Sequence, residues 1–208
     1  MRATSSIVPL LGRNRVVPVL TVASAKEGVA IARALAEGGV TVAEVTLRTP
    51  AALEAIAAIR AECPDVVVGA GTIVTPAAIA AAQKAGASFL VTPGTSASLR
   101  AALADVAIPV LPGAVTISEM LDVAELGFAE IKFFPAAAAG GLEYLKSVAG
   151  PCPDLRFCPT GGIGPANMAQ YLALDNVLCV GGSWLTPKAA VAAGDWASLT
   201  RLAREASV

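Results

Sequence analysis

The stretch Val42-Ala43-Glu44-Val45-Thr46-Leu47-Arg48-Thr49-Pro50, residues 42–50, decides the fold. Its first seven residues alternate in character, the pattern of a β-strand whose side chains point to opposite faces in turn. Val45 and Leu47 share one face, and Glu44, Thr46 and Arg48 share the other. An Ala-rich segment with helical spacing follows over 50–62, so the unit is a strand and then a helix. Apolar, β-rich segments recur outward from it at intervals of roughly two dozen residues. They lie near 16–22, 42–47, 66–70, 88–92, 108–112, 130–134, 155–159 and 177–181. Helical segments are predicted at 24–37, 50–62, 76–85, 96–104, 117–126, 141–149, 166–174 and 187–205, the last broken near Gly194. A short extra helix is expected before the first strand.

Eight such units, with no Ser/Gly/Pro-rich linker between them, predict one α/β domain over residues 1–208. Two architectures suit the alternation: a closed (β/α)₈ TIM barrel or an open doubly wound sheet. The count of eight favours closure, and no G-x-G-x-x-G follows the first strand to suggest a dinucleotide fold. The leucine-rich repeat consensus, of similar period, is missing. Thr49-Pro50, Thr75-Pro76 and Thr186-Pro187 each set a hydroxyl before a proline, which predicts an N-cap followed by the first helical position. Gly38-Gly39, Gly86, Gly127 and Gly150 fall where helices should end in the left-handed conformation.

Hydrophobic residues make up 55% of the chain and charged residues 15%. The two longest uncharged runs, 66–83 and 157–174, are broken by Gly and Pro, so they read as strands buried on both faces rather than as membrane spans. The net charge of −1, with no basic cluster, argues against nucleic-acid binding. No secretory signal opens the chain, and Cys63, Cys152, Cys158 and Cys179 form no C-x-x-C pair. Buried free thiols in a reducing cytoplasm are the expectation. The chain has no histidine, which excludes Ser-His-Asp and Cys-His catalysis and histidine-ligated zinc. Acid–base work must fall to Glu, Asp, Lys, Tyr or water.

A barrel carries its chemistry at the C-terminal ends of its strands. With Val45 and Leu47 turned to the helices, Glu44, Thr46 and Arg48 point into the barrel, where charge is costly unless paired or functional. A structural Glu44–Arg48 pair stays open on this evidence. In Glu130-Ile131-Lys132-Phe133-Phe134-Pro135 the same alternation directs Lys132 and Phe134 inward. A desolvated lysine near Arg48 should have a lowered pKa and be nucleophilic towards a ketone; simple pairing with Glu44 or Glu130 is the alternative. Thr160-Gly161-Gly162 and Gly181-Gly182-Ser183 end strands seven and eight, the two loops that in many barrels bind phosphate through backbone N–H groups. Thr72 is a candidate donor to a substrate carboxylate and Pro93 a candidate pocket wall, although each also suits a plain turn. Arg15 reads as a solvated charge at the opposite end.

The ordered segments VAEVTLRT, VVGAGT, VTPG, LPG, IKFFPA, RFCPTGGI and CVGGSWL together resemble the 2-keto-3-deoxy-6-phosphogluconate aldolase family, the class I Entner–Doudoroff aldolases, known also for 4-hydroxy-2-ketoglutarate activity. The match runs from about Val17 to Ala206. The resemblance implies that Lys132 forms the Schiff base, that Glu44 is the acid–base and that Arg48, assisted by Thr72, binds the substrate carboxylate. It further implies that Phe134 lines the pyruvate pocket and Pro93 closes over the ketone end. The phosphate end would fall to Thr160, Gly161, Gly162 and Ser183. A phosphorylated 2-keto acid as substrate, no cofactor and no metal, and a homotrimer are likewise implied. One departure is visible: Ala137, in the run Ala136–Ala139, stands where many relatives carry a glutamate. Other readings of the same residues are a 2-dehydro-3-deoxy-6-phosphogalactonate aldolase, a phosphate-binding isomerase or synthase in which Lys132 is an electrostatic clamp, and a non-catalytic sugar-phosphate barrel.

Overall fold

The computed structural model describes residues 6–11 and 14–207. Strands β1 (Val16–Leu20), β2 (Val42–Thr46), β3 (Val67–Gly71), β4 (Leu90–Val91), β5 (Val110–Leu111), β6 (Glu130–Phe133), β7 (Arg156–Pro159) and β8 (Val180–Gly182) alternate with helices. The helices are α1 (Val8–Leu11), α2 (Ala25–Glu37), α3 (Ala52–Glu62), α4 (Pro76–Lys84), α5 (Ala97–Leu103), α6 (Ile117–Ala124), α7 (Gly141–Ala149), α8 (Met168–Leu172), α9 (Lys188–Ala193) and α10 (Trp196–Ala206). Each predicted strand and helix has its counterpart, and the last helical segment breaks at Gly194, whose φ is +66°.

Every strand pairing is parallel, in the order β5-β4-β3-β2-β1-β8, with β6 and β7 as a separate pair. The ring closes at strand ends. The Lys132 amide donates to Pro112 O (2.8 Å) and the Ala114 amide to Lys132 O (3.1 Å), joining β5 to β6. On the other side Phe157 donates to Asn176 O and Leu178 donates to Phe157 O, at 2.8 and 2.9 Å, joining β7 to β8. The architecture is therefore a (β/α)₈ barrel, as expected.

Two cores follow from the strand alternation. Ala43, Val45, Ile131 and Phe133 face the helices in the larger outer core, and the Phe133 ring stacks on Tyr144 of α7 at 5.3 Å between centroids. The inner core fills the barrel axis with Val17, Val42, Phe89, Val91, Leu111, Cys158 and Cys179, together with Ile7 and Leu11 from the N-terminal segment. Helix α1 thus plugs one mouth. That mouth is the N-terminal one, because Ser6 Oγ donates to Glu130 Oε1 at the start of β6 and the Thr41 amide donates to Asn14 Oδ1 just before β2. The opposite mouth is left open for chemistry.

Two expectations about helix ends need correction. Thr75 caps α4 as predicted, accepting from the Ala78 amide, with Pro76 at the start of the helix. Thr49 and Thr186 do not cap: their hydroxyls donate to Val22 O and Ser183 O, and α3 and α9 begin after Ala51 and Pro187 without a side-chain cap. The neighbouring loop carbonyls compete for those hydroxyls and win. Gly39, Gly86 and Gly127 take positive φ, whereas Gly150, at φ −67°, stays right-handed. The four cysteines are buried and free.

Candidate active site

Strands β2 and β6 lie on opposite sides of the barrel, 88 residues apart at their key positions, and meet across its axis. Lys132 Nζ donates to both carboxylate oxygens of Glu44, at 3.0 and 3.2 Å. Both residues are deeply buried, at 4% and 3% exposure. The pair lies beneath the C-terminal mouth, and each group gives the other the partner that a charge held out of water requires. This corrects the alternative of a Glu44–Arg48 pair: Arg48 lies just beyond β2, exposed, and its Nε donates instead to Thr72 Oγ1 at 3.2 Å. Glu130 is likewise not the partner of Lys132, since it sits at the plugged end with Ser6.

Small residues make room for this pair. A side chain at Gly71, on β3 beside Glu44, would occupy the space of the Glu44 carboxylate. One at Gly181 would occupy that of the Thr160 hydroxyl, and one at Gly69 would meet the Phe89 ring beneath. The Thr46 hydroxyl donates to Leu20 O at 2.8 Å, so this inward polar group is satisfied internally.

Above the pair opens a cavity of about 720 Å³. Lys132, Arg48, Phe134, Thr160, Gly161, Gly162 and Ser183 all reach its walls, with Lys132 Nζ 5.6 Å from the Phe134 ring centroid. That volume lies in the ordinary range for a small-molecule site. Two glycines at the β7 end, Gly161 and Gly162, have φ of +98° and +76°, a conformation that side chains disfavour and that brings backbone close to a ligand. No described group accepts from the Gly162 or Ser183 amides, so both can donate to a group in the cavity.

Three predicted residues stand outside these walls. Glu44 lies one layer down behind Lys132. Thr72 contacts the site through Arg48, and its φ of +59° is costly for a β-branched residue, a kind of strain that gathers at functional sites. Pro93 packs at the end of β4, where a side chain on Gly113 would lie 2.5 Å from its carbonyl carbon. Ala137 lies beside the Gly161–Gly162 turn, its amide donating to Gly161 O at 3.0 Å.

Sequence reasoning missed Glu27 and Lys188, both on the cavity walls. Glu27 had a signal of another kind, the S-x-x-E start of α2, and its carboxylate accepts from the Ala23 amide at 2.8 Å. Lys188 followed a Thr-Pro pair that read only as a helix start. Among the described residues no three His, Cys, Asp or Glu side chains gather for a metal ion.

Comparison with known proteins identifies the family of the chain and matches its fold. The family model for KDPG and KHG aldolase matches residues 7–202. The KHG/KDPG aldolase of Escherichia coli K12 is 48% identical over 202 residues, 97% of this chain and 95% of that protein. Among solved structures, KDPG aldolase from Legionella pneumophila, with pyruvate captured at low pH as a covalent carbinolamine intermediate, superposes with a TM-score of 0.95 at 39% identity. It covers 98% of this chain and 99% of its own. The Zymomonas mobilis ZM4 enzyme, crystallised with 3-phosphoglycerate, gives 0.90 at 43% identity over 97% of this chain and 95% of its own. The chain belongs to the KDPG and KHG aldolase family.

Proposed function

We propose that this barrel is a class I aldolase that reversibly cleaves 2-dehydro-3-deoxy-6-phosphogluconate to pyruvate and glyceraldehyde 3-phosphate, and also 4-hydroxy-2-oxoglutarate to pyruvate and glyoxylate. The observation that carries it is the buried amine of Lys132, held by the Glu44 carboxylate at 3.0 Å and open to the cavity.

Glu44 takes a proton from the Lys132 ammonium, and the neutral amine attacks the C2 ketone. Glu44 returns that proton to the carbinolamine hydroxyl, whose departure as water leaves Glu44 a carboxylate and gives a protonated imine, an electron sink that lets the C3–C4 bond break. Glu44, directly or through a water, removes the C4 hydroxyl proton as the aldehyde leaves. It then returns a proton to C3 of the enamine, and hydrolysis frees pyruvate and regenerates the amine. Arg48 holds the C1 carboxylate with its planar fork, oriented by Thr72, while Phe134 flanks the imine and Pro93 closes the ketone end. Thr160, Gly161, Gly162 and Ser183 take the phosphate. Residues 1–208 act as one domain. The family resemblance supports a homotrimer. Buried free thiols support a cytoplasmic setting, and among the described residues no helix is long and apolar enough to cross a membrane.

Borohydride reduction in the presence of pyruvate tests the chemistry. Wild type should acquire a reduced pyruvate adduct on the Lys132 peptide, whereas Lys132→Met and Lys132→Arg should acquire none and turn over no substrate. Arginine keeps a cation beside Glu44, and a melting transition close to that of wild type would show that its loss of activity is not a folding effect. An adduct on another lysine, or none with active protein, would point to the clamp reading instead.

A further inference from the structure

The charged groups on the cavity wall are Glu27, Arg48, Lys132 and Lys188. Glu44 holds Lys132, Thr72 holds Arg48 and the Ala23 amide holds Glu27. Lys188 is exposed and makes no ion pair or hydrogen bond among the described residues. It is the first residue of α9, five residues after Ser183, and the glycine loop after β7 lines the same cavity. The donors on that side of the cavity, the Gly162 and Ser183 amides and the Ser183 hydroxyl, are all neutral. A phosphate monoester is close to dianionic at neutral pH, and here it would enter a cavity whose wall also carries the Glu27 carboxylate. Neutral donors orient such a group but leave its charge uncompensated.

We infer that Lys188 is a specificity-determining residue: its ammonium pairs with the distal phosphate and favours phosphorylated over unphosphorylated 2-keto acids, without a part in imine chemistry. The inference rests on the aldolase reading and deepens it. Because the side chain is exposed, water and salt screen the contact, and its effect belongs in KM rather than in kcat. Lysine supplies a flexible point charge here, so arginine should substitute for it, unlike at Arg48.

The experiment compares wild type, Lys188→Met and Lys188→Arg with both substrates. For the methionine variant, KM for the phosphorylated substrate should rise about threefold to fivefold, the upper range for one lost charge contact exposed to solvent. Its kcat should stay within about twofold, because only ground-state and transition-state binding are weakened alike. The loss with 4-hydroxy-2-oxoglutarate, whose distal carboxylate bears a single charge, should be smaller, and arginine should restore most of the loss. Inorganic phosphate, tested as a competitive inhibitor and by direct titration, should bind wild type more tightly than the methionine variant, and raised ionic strength should narrow the gap. An unchanged KM for the phosphorylated substrate, or an equal loss with both substrates, would overturn the inference. Pyruvate trapping on the same proteins separates the two claims. A wild type that fails to trap pyruvate sinks the aldolase reading, whereas normal trapping with unchanged phosphate affinity sinks only the role of Lys188.

Discussion

Glu44 has two partners that want different things from it. As the counter-ion of Lys132 it should be an anion, and in the proposed mechanism, as the acid that reprotonates the enamine, it must carry a proton for part of the cycle. A carboxylate touching the amine with both oxygens, at 3.0 and 3.2 Å, can pass one proton back and forth without moving. Glu44→Gln keeps the shape and loses the exchange. Its turnover should fall by about 10²–10⁴, the usual range for a missing general acid–base, while borohydride still traps pyruvate on Lys132. Unchanged turnover in single-turnover kinetics would assign proton transfer to another group. The identity of the partner was not legible in the sequence. Alternation turned Glu44, Arg48 and Lys132 toward one interior, but only the meeting of β2 with β6 across the barrel decided which cation Glu44 takes.

Helix α6 shows how an element is fixed by its first turn. Thr116 accepts from the Glu119 amide, and the Glu119 carboxylate accepts from the Thr116 and Val115 amides at 2.8 and 3.0 Å. These backbone N–H groups, Thr116 foremost, hold the carboxyl below its ordinary value of 4.5. A depressed folded pKa means that this stabilisation is complete above the ordinary value and is lost as pH falls through the folded one. Wild type should therefore exceed Glu119→Gln in stability by about 0.5 kcal/mol at pH 7, small because water screens the exposed carboxylate. Urea titrations should show the difference shrinking below pH 4.5. Thr49 marks the limit of such reading. Its Thr-Pro pair was as good a cap signal as Thr75-Pro76, yet the hydroxyl reaches Val22 O at 2.7 Å, a loop acceptor brought near only by the β1–β2 pairing.

At the scale of the whole molecule, stability and chemistry occupy opposite ends of one axis. Ile7 and Leu11, both fully buried, stop the N-terminal mouth, and the inner core of Phe89, Leu111, Cys158 and Cys179 lies between the plug and the ion pair. Leu11→Ala should cost about 2–5 kcal/mol, the range for a buried leucine whose cavity only partly collapses. Because the plug is remote from the mouth, kcat and KM measured well below the melting temperature should match wild type. A change in kcat comparable to that of Glu44→Gln would show that the plug positions the site.

Periodicity was enough to read eight strands, their inward faces and the break at Gly194, because strand and helix spacing are local properties written residue by residue. The same alternation turned Lys132 and Phe134 into the barrel, and glycine placement marked the two loops that line the cavity after β7 and β8. Tertiary structure decided the rest: that Glu44 binds Lys132 and Arg48 binds Thr72, that Gly71 is small for the sake of Glu44, and that Glu27 and Lys188 reach the cavity. Those facts depend on which strands and loops come to face one another when the ring closes, and a linear pattern carries no record of distance across a barrel.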